Sequence, residues 1–335
     1  MSPNLNRREF LGTLAAVGSA ESLVLRLCGS SALAVPGPAG VKEPWAGVFI
    51  IMQTPFLENK EIDGDSLKRE VDFLVRCGVQ GMVWPAGAGE TSKLSHEERL
   101  KYSKVIADQA RGRTPVLIGV HAPNKAEAAE YARYVEQIGA DGMLALSQTD
   151  GTSDLAVITE YFTAITKASK LPLCIQVSSP ALTVDYLIDL ARKLPTFRYV
   201  KEEQYPVPHR VSRYGKEAHG LLVPMTGGGA RNFLNEMARG SRGTMPGAGF
   251  ADIQAQIWDW YQEGKKKESR DLFAKMLMMA VLEQSTGYGL QKEILRRRGV
   301  FKTIVMRDER KGEMDAGDLH ELDEIFEVLR PYFRA

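Results

Sequence analysis

Cysteine is scarce in this chain, with 3 in 335 residues, and Cys28, Cys77 and Cys174 stand too far apart to frame a disulfide scaffold or a zinc knuckle. Two buried thiols are the expectation for Cys77 and Cys174. The 5 histidines show no ligand spacing, so no metal is expected. No sign of charge dominates: 43 Lys+Arg face 42 Asp+Glu, and a net charge of +1 leaves no basic stripe for a nucleic acid. The densest basic run, Lys265 to Lys267, is flanked by Glu263 and Glu268 and reads as a solvated face. An unbroken apolar run of about 20 residues, the length a spanning helix needs, is also missing, so no stable membrane span is expected.

What is present begins with Arg7 and Arg8, followed by Phe10 and Leu11 and a moderately apolar stretch from Gly12 to Ala34. Ala32 and Ala34 supply a small-x-small cleavage pattern. This resembles a twin-arginine export signal over residues 1–34, with 35–45 as a linker around Pro36-Gly37-Pro38, and predicts a periplasmic protein. Glu21 and Arg26 interrupt the apolar core, and the alternative is a leader that leaves the protein in the cytoplasm.

From residue 46 the chain settles into a rhythm. Short runs rich in β-branched and aromatic residues at 47–52, 81–84, 115–120, 141–146, 172–177, 197–201, 219–223 and 243–245 read as strands. Helical patterns follow each of them, at 65–77, 95–110, 125–138, 155–168, 184–193, 207–214, 231–238 and 253–262. Ser95 and Glu98 form a capping box, and Gly78, Gly139 and Gly240 sit where a helix hands over to the next strand. Eight such units predict an α/β fold, a closed (β/α)8 TIM barrel over 46–265. Residues 266–335 read as a helical addition, in which Leu272, Met276, Leu277, Met279 and Val281 are expected to pack on the barrel or on a neighbouring subunit.

In such a barrel the chemistry collects at the carboxyl ends of the strands, where Phe197-Arg198-Tyr199-Val200-Lys201 places a lysine. Alternation along the strand gives Lys201 and Glu203 one face and Glu202 the other. A lysine in an apolar barrel mouth is a candidate amine nucleophile, because desolvation disfavours its charged form. The competing reading is a strand-end lysine that reaches water or pairs with a glutamate. Gly87, Ala88 and Gly89 after strand two, and Thr226, Gly227 and Gly228 after strand seven, offer close-approaching amides for an anion. Gln176 and His121 add polar groups at the same end, each also readable as an ordinary loop residue.

These residues carry a family resemblance that covers nearly all of the chain after the leader. Gly47-Val48-Phe49 with Thr54-Pro55-Phe56, Gly89-Glu90 with Leu94-Ser95 and Glu97-Glu98-Arg99, and Tyr199-Val200-Lys201-Glu202 are the matching positions. The glycines before Gly243-Thr244-Met245 fit as well. The sequence resembles the dihydrodipicolinate synthase and N-acetylneuraminate lyase superfamily of Schiff-base aldolases and dehydratases. The resemblance implies an imine between Lys201 and a small-molecule 2-oxo acid substrate, no metal or organic cofactor, and a homo-oligomer, a tetramer or dimer.

Two departures bear on the reaction. Gly87 and Ala88 stand where the family usually has hydroxyl residues, and Gln176 is nearest to the position where aldolase members carry a proton-relaying tyrosine. Ile175-Gln176-Val177, Glu203, Gly287-Tyr288-Gly289-Leu290 and Lys292 look more like the sugar-acid dehydratases, 2-keto-3-deoxy-L-arabonate dehydratase in particular. The expectation is therefore dehydration of a 2-keto-3-deoxy sugar acid. Glu203, tuned toward neutrality, would transfer the proton, Gln176 and His121 would orient hydroxyls, and one glycine loop would hold the carboxylate. A pyruvate-dependent aldolase and a non-catalytic exported sugar-acid-binding barrel are the alternatives.

Overall fold

Capping decides where most helices of this chain begin. Asp63 accepts the amides of Asp65 and Ser66 at the start of α1 (Gly64–Cys77), and Ser95 with Glu98 closes the expected capping box on α2 (His96–Ala110). Asn124, Asp154 and Thr183 do the same for α3 (Lys125–Gln137), α4 (Leu155–Ala168) and α5 (Val184–Lys193). The remaining barrel helices are α6 (Val207–Glu217), α7 (Phe233–Ala238) and α8 (Ala251–Gln262). Gly78, Gly139 and Gly240 carry φ of +79°, +77° and +103° where helices turn into strands, a conformation that costs glycine nothing.

Between them run β1 (Gly47–Ile51), β2 (Gly81–Trp84), β3 (Val116–Gly119), β4 (Gly142–Leu146), β5 (Leu173–Val177), β6 (Phe197–Glu202), β7 (Val223–Thr226) and β8 (Gly243–Thr244). All pair in parallel and in order, and β8 closes on β1 through Gly47 and Gly243. This is the expected (β/α)8 barrel. The computed structural model describes residues 45–146, 152–308 and 313–335. The expected signal at 1–34 and the expected linker up to 44 lie outside the described residues.

Side chains from alternate strand positions fill the barrel. Phe49, Val83, Leu117, Leu144, Tyr199 and Met225 belong to this inner cluster. Trp45 floors it, stacked 4.4 Å from the Tyr199 ring and donating its amide to the Tyr199 hydroxyl at 3.1 Å. With Tyr199 pointing inward near the floor, the period of two puts Lys201 inward near the mouth.

Strand seven differs from expectation. The sequence reading places it at 219–223, whereas β7 runs Val223–Thr226. His219 and Gly220 have φ of +45° and +78° and belong to the turn after α6. Pro224, which discourages a strand assignment, is accommodated because its carbonyl still accepts the Arg242 amide at 2.8 Å.

Beyond α8 the chain continues as α9 (Lys266–Thr286), α10 (Gly289–Arg297) and α11 (Ala316–Leu329), and residues 45–335 form one compact unit. Leu272, Met276 and Met279 are buried there as packing residues, while Val281 is 65% exposed on the opposite side of α9. Among the described residues no helix is long and apolar enough to cross a membrane.

Candidate active site

A cavity of about 350 Å³ opens at the carboxyl ends of the strands. Gly87, Ala88, Gln176, Lys201, Glu203 and Gly228, six of the ten expected residues, line it. Lys201 is buried, and its Nζ lies 3.3 Å from Glu203 Oε1. Strand register explains the third partner: Gln176 on β5 is level with Lys201 on β6, and its Nε2 donates to Glu203 Oε2 at 2.6 Å. The Gly228 amide donates to Glu203 Oε1 at 3.2 Å. Glu202 points the other way, as alternation requires, onto Tyr214 and Arg210 outside the barrel.

The electrostatics of Glu203 run opposite to the expectation of neutrality. Burial alone would raise its pKa, but the Lys201 charge, the Gly228 amide and the Gln176 amide together hold the carboxyl below its ordinary value. Glu203 is thus a carboxylate, suited to accept a proton rather than to give one. Gly227 is required by this arrangement: a Cβ there would lie 2.0 Å from Glu203 Oε1.

Four expected residues do not form part of the lining among the described residues. His121 is buried, and burial followed by the Arg99 charge pushes its imidazole down to about 3, so it is a neutral ring. Gly89 turns its carbonyl to Thr54 Oγ1 at 2.5 Å. Gly227 serves Glu203 as just described. Thr226 is the last residue of β7 and not a loop residue; Met225 points into the barrel, so Thr226 points out and donates to Glu236 Oε2 at 2.6 Å.

Glu236 is buried, which raises its carboxyl from the ordinary 4.5 to about 7 despite the Thr226 hydroxyl. The folded state therefore holds this proton more tightly than the unfolded chain. Stability falls as pH rises from about 4.5 to about 7, by an upper bound of roughly 3 kcal/mol, and the penalty is complete above that window. Glu236→Gln is expected to raise the unfolding temperature at pH 8 and to change it little at pH 5; equal shifts at both would place the effect elsewhere.

The sequence reading gave no roles to the rest of the lining. Arg231 follows β7, Met245 to Gly247 follow β8, and Glu283 and Tyr288 come from the end of α9 and the turn after it. The break at Gly287-Tyr288-Gly289 in an otherwise helical stretch is the one sequence signal that marked this part of it.

The geometry defines a barrel whose buried lysine and ionised glutamate share one cavity with the glycine-rich loops after β2 and β7. The profile of the Dihydrodipicolinate synthetase family matches residues 44–309. The chain belongs to that family and is a lyase of it. Family membership supersedes the non-catalytic alternative. It is 26% identical over 265 residues to the L-2-keto-3-deoxyarabonate dehydratase of Azospirillum brasilense, covering 76% of this chain and 85% of that one. It is also 26% identical over 236 residues to the 4-hydroxy-tetrahydrodipicolinate synthase of Magnetococcus marinus, covering 69% and 80%. A solved dihydrodipicolinate synthase from Rhodopseudomonas palustris, 24% identical, shares the fold with a TM-score of 0.76 over 84% of this chain and 97% of its own.

Proposed function

We propose that this chain dehydrates a 2-keto-3-deoxy sugar acid through an imine on Lys201, acting as a folded enzyme exported by its twin-arginine signal. The observation that carries the reading is the Lys201 Nζ to Glu203 Oε1 approach of 3.3 Å at a cavity wall where Gln176 stands in place of a relay phenol. The similarity to a sugar-acid dehydratase supports it. Lys201 attacks the 2-oxo carbon, water leaves, and the iminium draws electrons from the neighbouring carbon. Glu203, a carboxylate beside that iminium, takes the C3 proton, and the C4 hydroxyl departs. Hydrolysis of the imine returns the lysine. The amides of the Gly87-Ala88 turn would hold the substrate carboxylate and fix C2 against the lysine, while the Gly228 amide stays on Glu203. The glycines leave room for that approach.

A second reading, aldol cleavage, draws on Tyr288. This phenol lines the same cavity and is raised by burial and by the charges of Glu283 and Glu203, so it could relay a proton. Product analysis separates the two. Incubated with 2-keto-3-deoxy-L-arabonate, enzyme from a periplasmic fraction is expected to give a dehydrated product with all five carbons. Release of pyruvate would sink the dehydratase reading, and absence of the enzyme from that fraction would sink export.

A further inference from the structure

Elimination of water takes a proton from carbon and gives one to the departing oxygen, a task that a base and a separate acid can divide between them. Glu203 supplies the first. Resting on the dehydratase reading, we infer that Glu283 is the second, the acid that delivers a proton to the hydroxyl leaving C4.

Glu283 lines the cavity from α9, whereas Gln176, Lys201 and Glu203 line it from the ends of β5 and β6. Its carboxyl is aimed by a built support. Gln291 Nε2 donates to Glu283 Oε1 at 2.7 Å, and Gln291 is itself fixed by the Gly249 amide, which donates to its Oε1 at 2.6 Å. That leaves Oε2, which lies over Gly229, 3.3 Å from where a Cβ on that residue would stand. Gly229 and Glu283 both line the cavity, and in this proposal Oε2 is the oxygen that meets the substrate.

The charged and titratable groups facing Glu283 are Arg231 from the turn after β7 and Tyr288 from the turn after α9, and Tyr288 also feels the charge of Glu203. Burial raises the Glu283 carboxyl, and the opposing pull of Gln291 and then Arg231 does not cancel it. Glu203 is shifted the other way by Lys201. The two carboxyls are pushed in opposite directions, which suits the proposed division into Glu203 as base and Glu283 as acid. In the step itself the C3–H bond breaks and its proton goes to Glu203. The electron pair moves into the new C3–C4 double bond, and the C4–O bond breaks with its pair on oxygen. Oxygen takes the Glu283 proton and leaves as water. Afterwards Glu203 is protonated and Glu283 ionised, and exchange with solvent resets both.

Glu283→Gln keeps the size and the Gln291 contact but cannot donate this proton as an acid. The variant is tested on 2-keto-3-deoxy-L-arabonate and on its 4-deoxy-4-fluoro analogue, whose fluoride departs without a proton. Turnover of the hydroxyl substrate is expected to fall by about 10²- to 10⁴-fold, while fluoride release stays close to wild type and borohydride still traps pyruvate on Lys201. Equal losses on both substrates, unchanged turnover of the hydroxyl substrate, or failure of the variant to trap pyruvate would each overturn the role of Glu283. Failure of the wild-type enzyme to form an adduct would instead remove the imine reading beneath it.

Discussion

Lys201→Ala is expected to abolish borohydride trapping and to lower turnover by on the order of 10⁴-fold or more, the scale seen when a covalent nucleophile is removed. Without the amine there is no iminium, and the C3 proton is left with the acidity of an ordinary ketone. A second loss is built into the site. The Lys201 charge is the largest influence holding Glu203 ionised against burial, so its removal shifts that carboxyl toward protonation and weakens the base. Lys201→Arg separates the two effects. Arginine keeps a cation near Glu203 and so keeps the carboxylate, but it stays protonated and forms no imine. Both variants are expected to be inactive, and mass mapping of the wild-type adduct should place it on the peptide containing residue 201. An active Lys201→Arg enzyme, or an adduct on another lysine, would refute the mechanism.

The barrel was legible because its signals are local. Each strand is a short β-branched run, and each helix has its own cap, from Asp63 to Thr183. Lys201 and Glu203 were legible for the same reason, since the alternation of a single strand fixes their shared face. The mistakes arise where a local signal misleads or is missing. The sequence reading places strand seven at 219–223, short of its true span Val223–Thr226, and that shift makes Thr226 look like a loop residue facing the mouth. The direction of the Glu203 shift rests first on Lys201, but also on the Gly228 amide from the turn after β7 and on Gln176 from β5, which a single strand does not reveal. Glu283 reaches the cavity from a helix whose apolar positions read as packing and Tyr288 from the turn after it, and the Gly287-Tyr288-Gly289 break marks that turn without pointing to a residue as distant as Lys201. Only closure of the barrel and docking of α9 bring those residues together.

Docking of the C-terminal region supplies the second large effect. Glu90, the glutamate of the family-like Gly89-Glu90 pair, faces away from the cavity. It is buried, accepts Lys292 Nζ at 2.6 Å, and accepts the amides of Arg307 and Asp308 at 2.9 and 2.8 Å. Lys292 is fully buried and also donates to the Val305 carbonyl at 2.8 Å. Its ammonium and the Arg307 guanidinium each lie 4.5 Å from the centre of the Phe56 ring, and Arg307 grips Glu98 through both nitrogens at 2.7 and 2.6 Å. One carboxylate therefore ties the loop after β2 to α10 and to the segment at 303–308. Glu90→Gln removes the negative charge but leaves Lys292 buried without its counterion, a situation that costs roughly 3–5 kcal/mol. In a chain of this size that corresponds to a fall of roughly 5–8 °C in unfolding temperature. Lys292→Met alone should destabilise less, because the Glu90 carboxylate keeps two amide donors. The double variant Glu90→Gln with Lys292→Met is expected to recover most of the loss, since the unpaired charge is gone. If the double variant is no more stable than Glu90→Gln, the pair is not coupled as the geometry requires. Activity should report the same event by a different route. Gly87 and Ala88 line the cavity immediately before Glu90, so loosening this anchor is expected to raise KM for the substrate more than it lowers kcat.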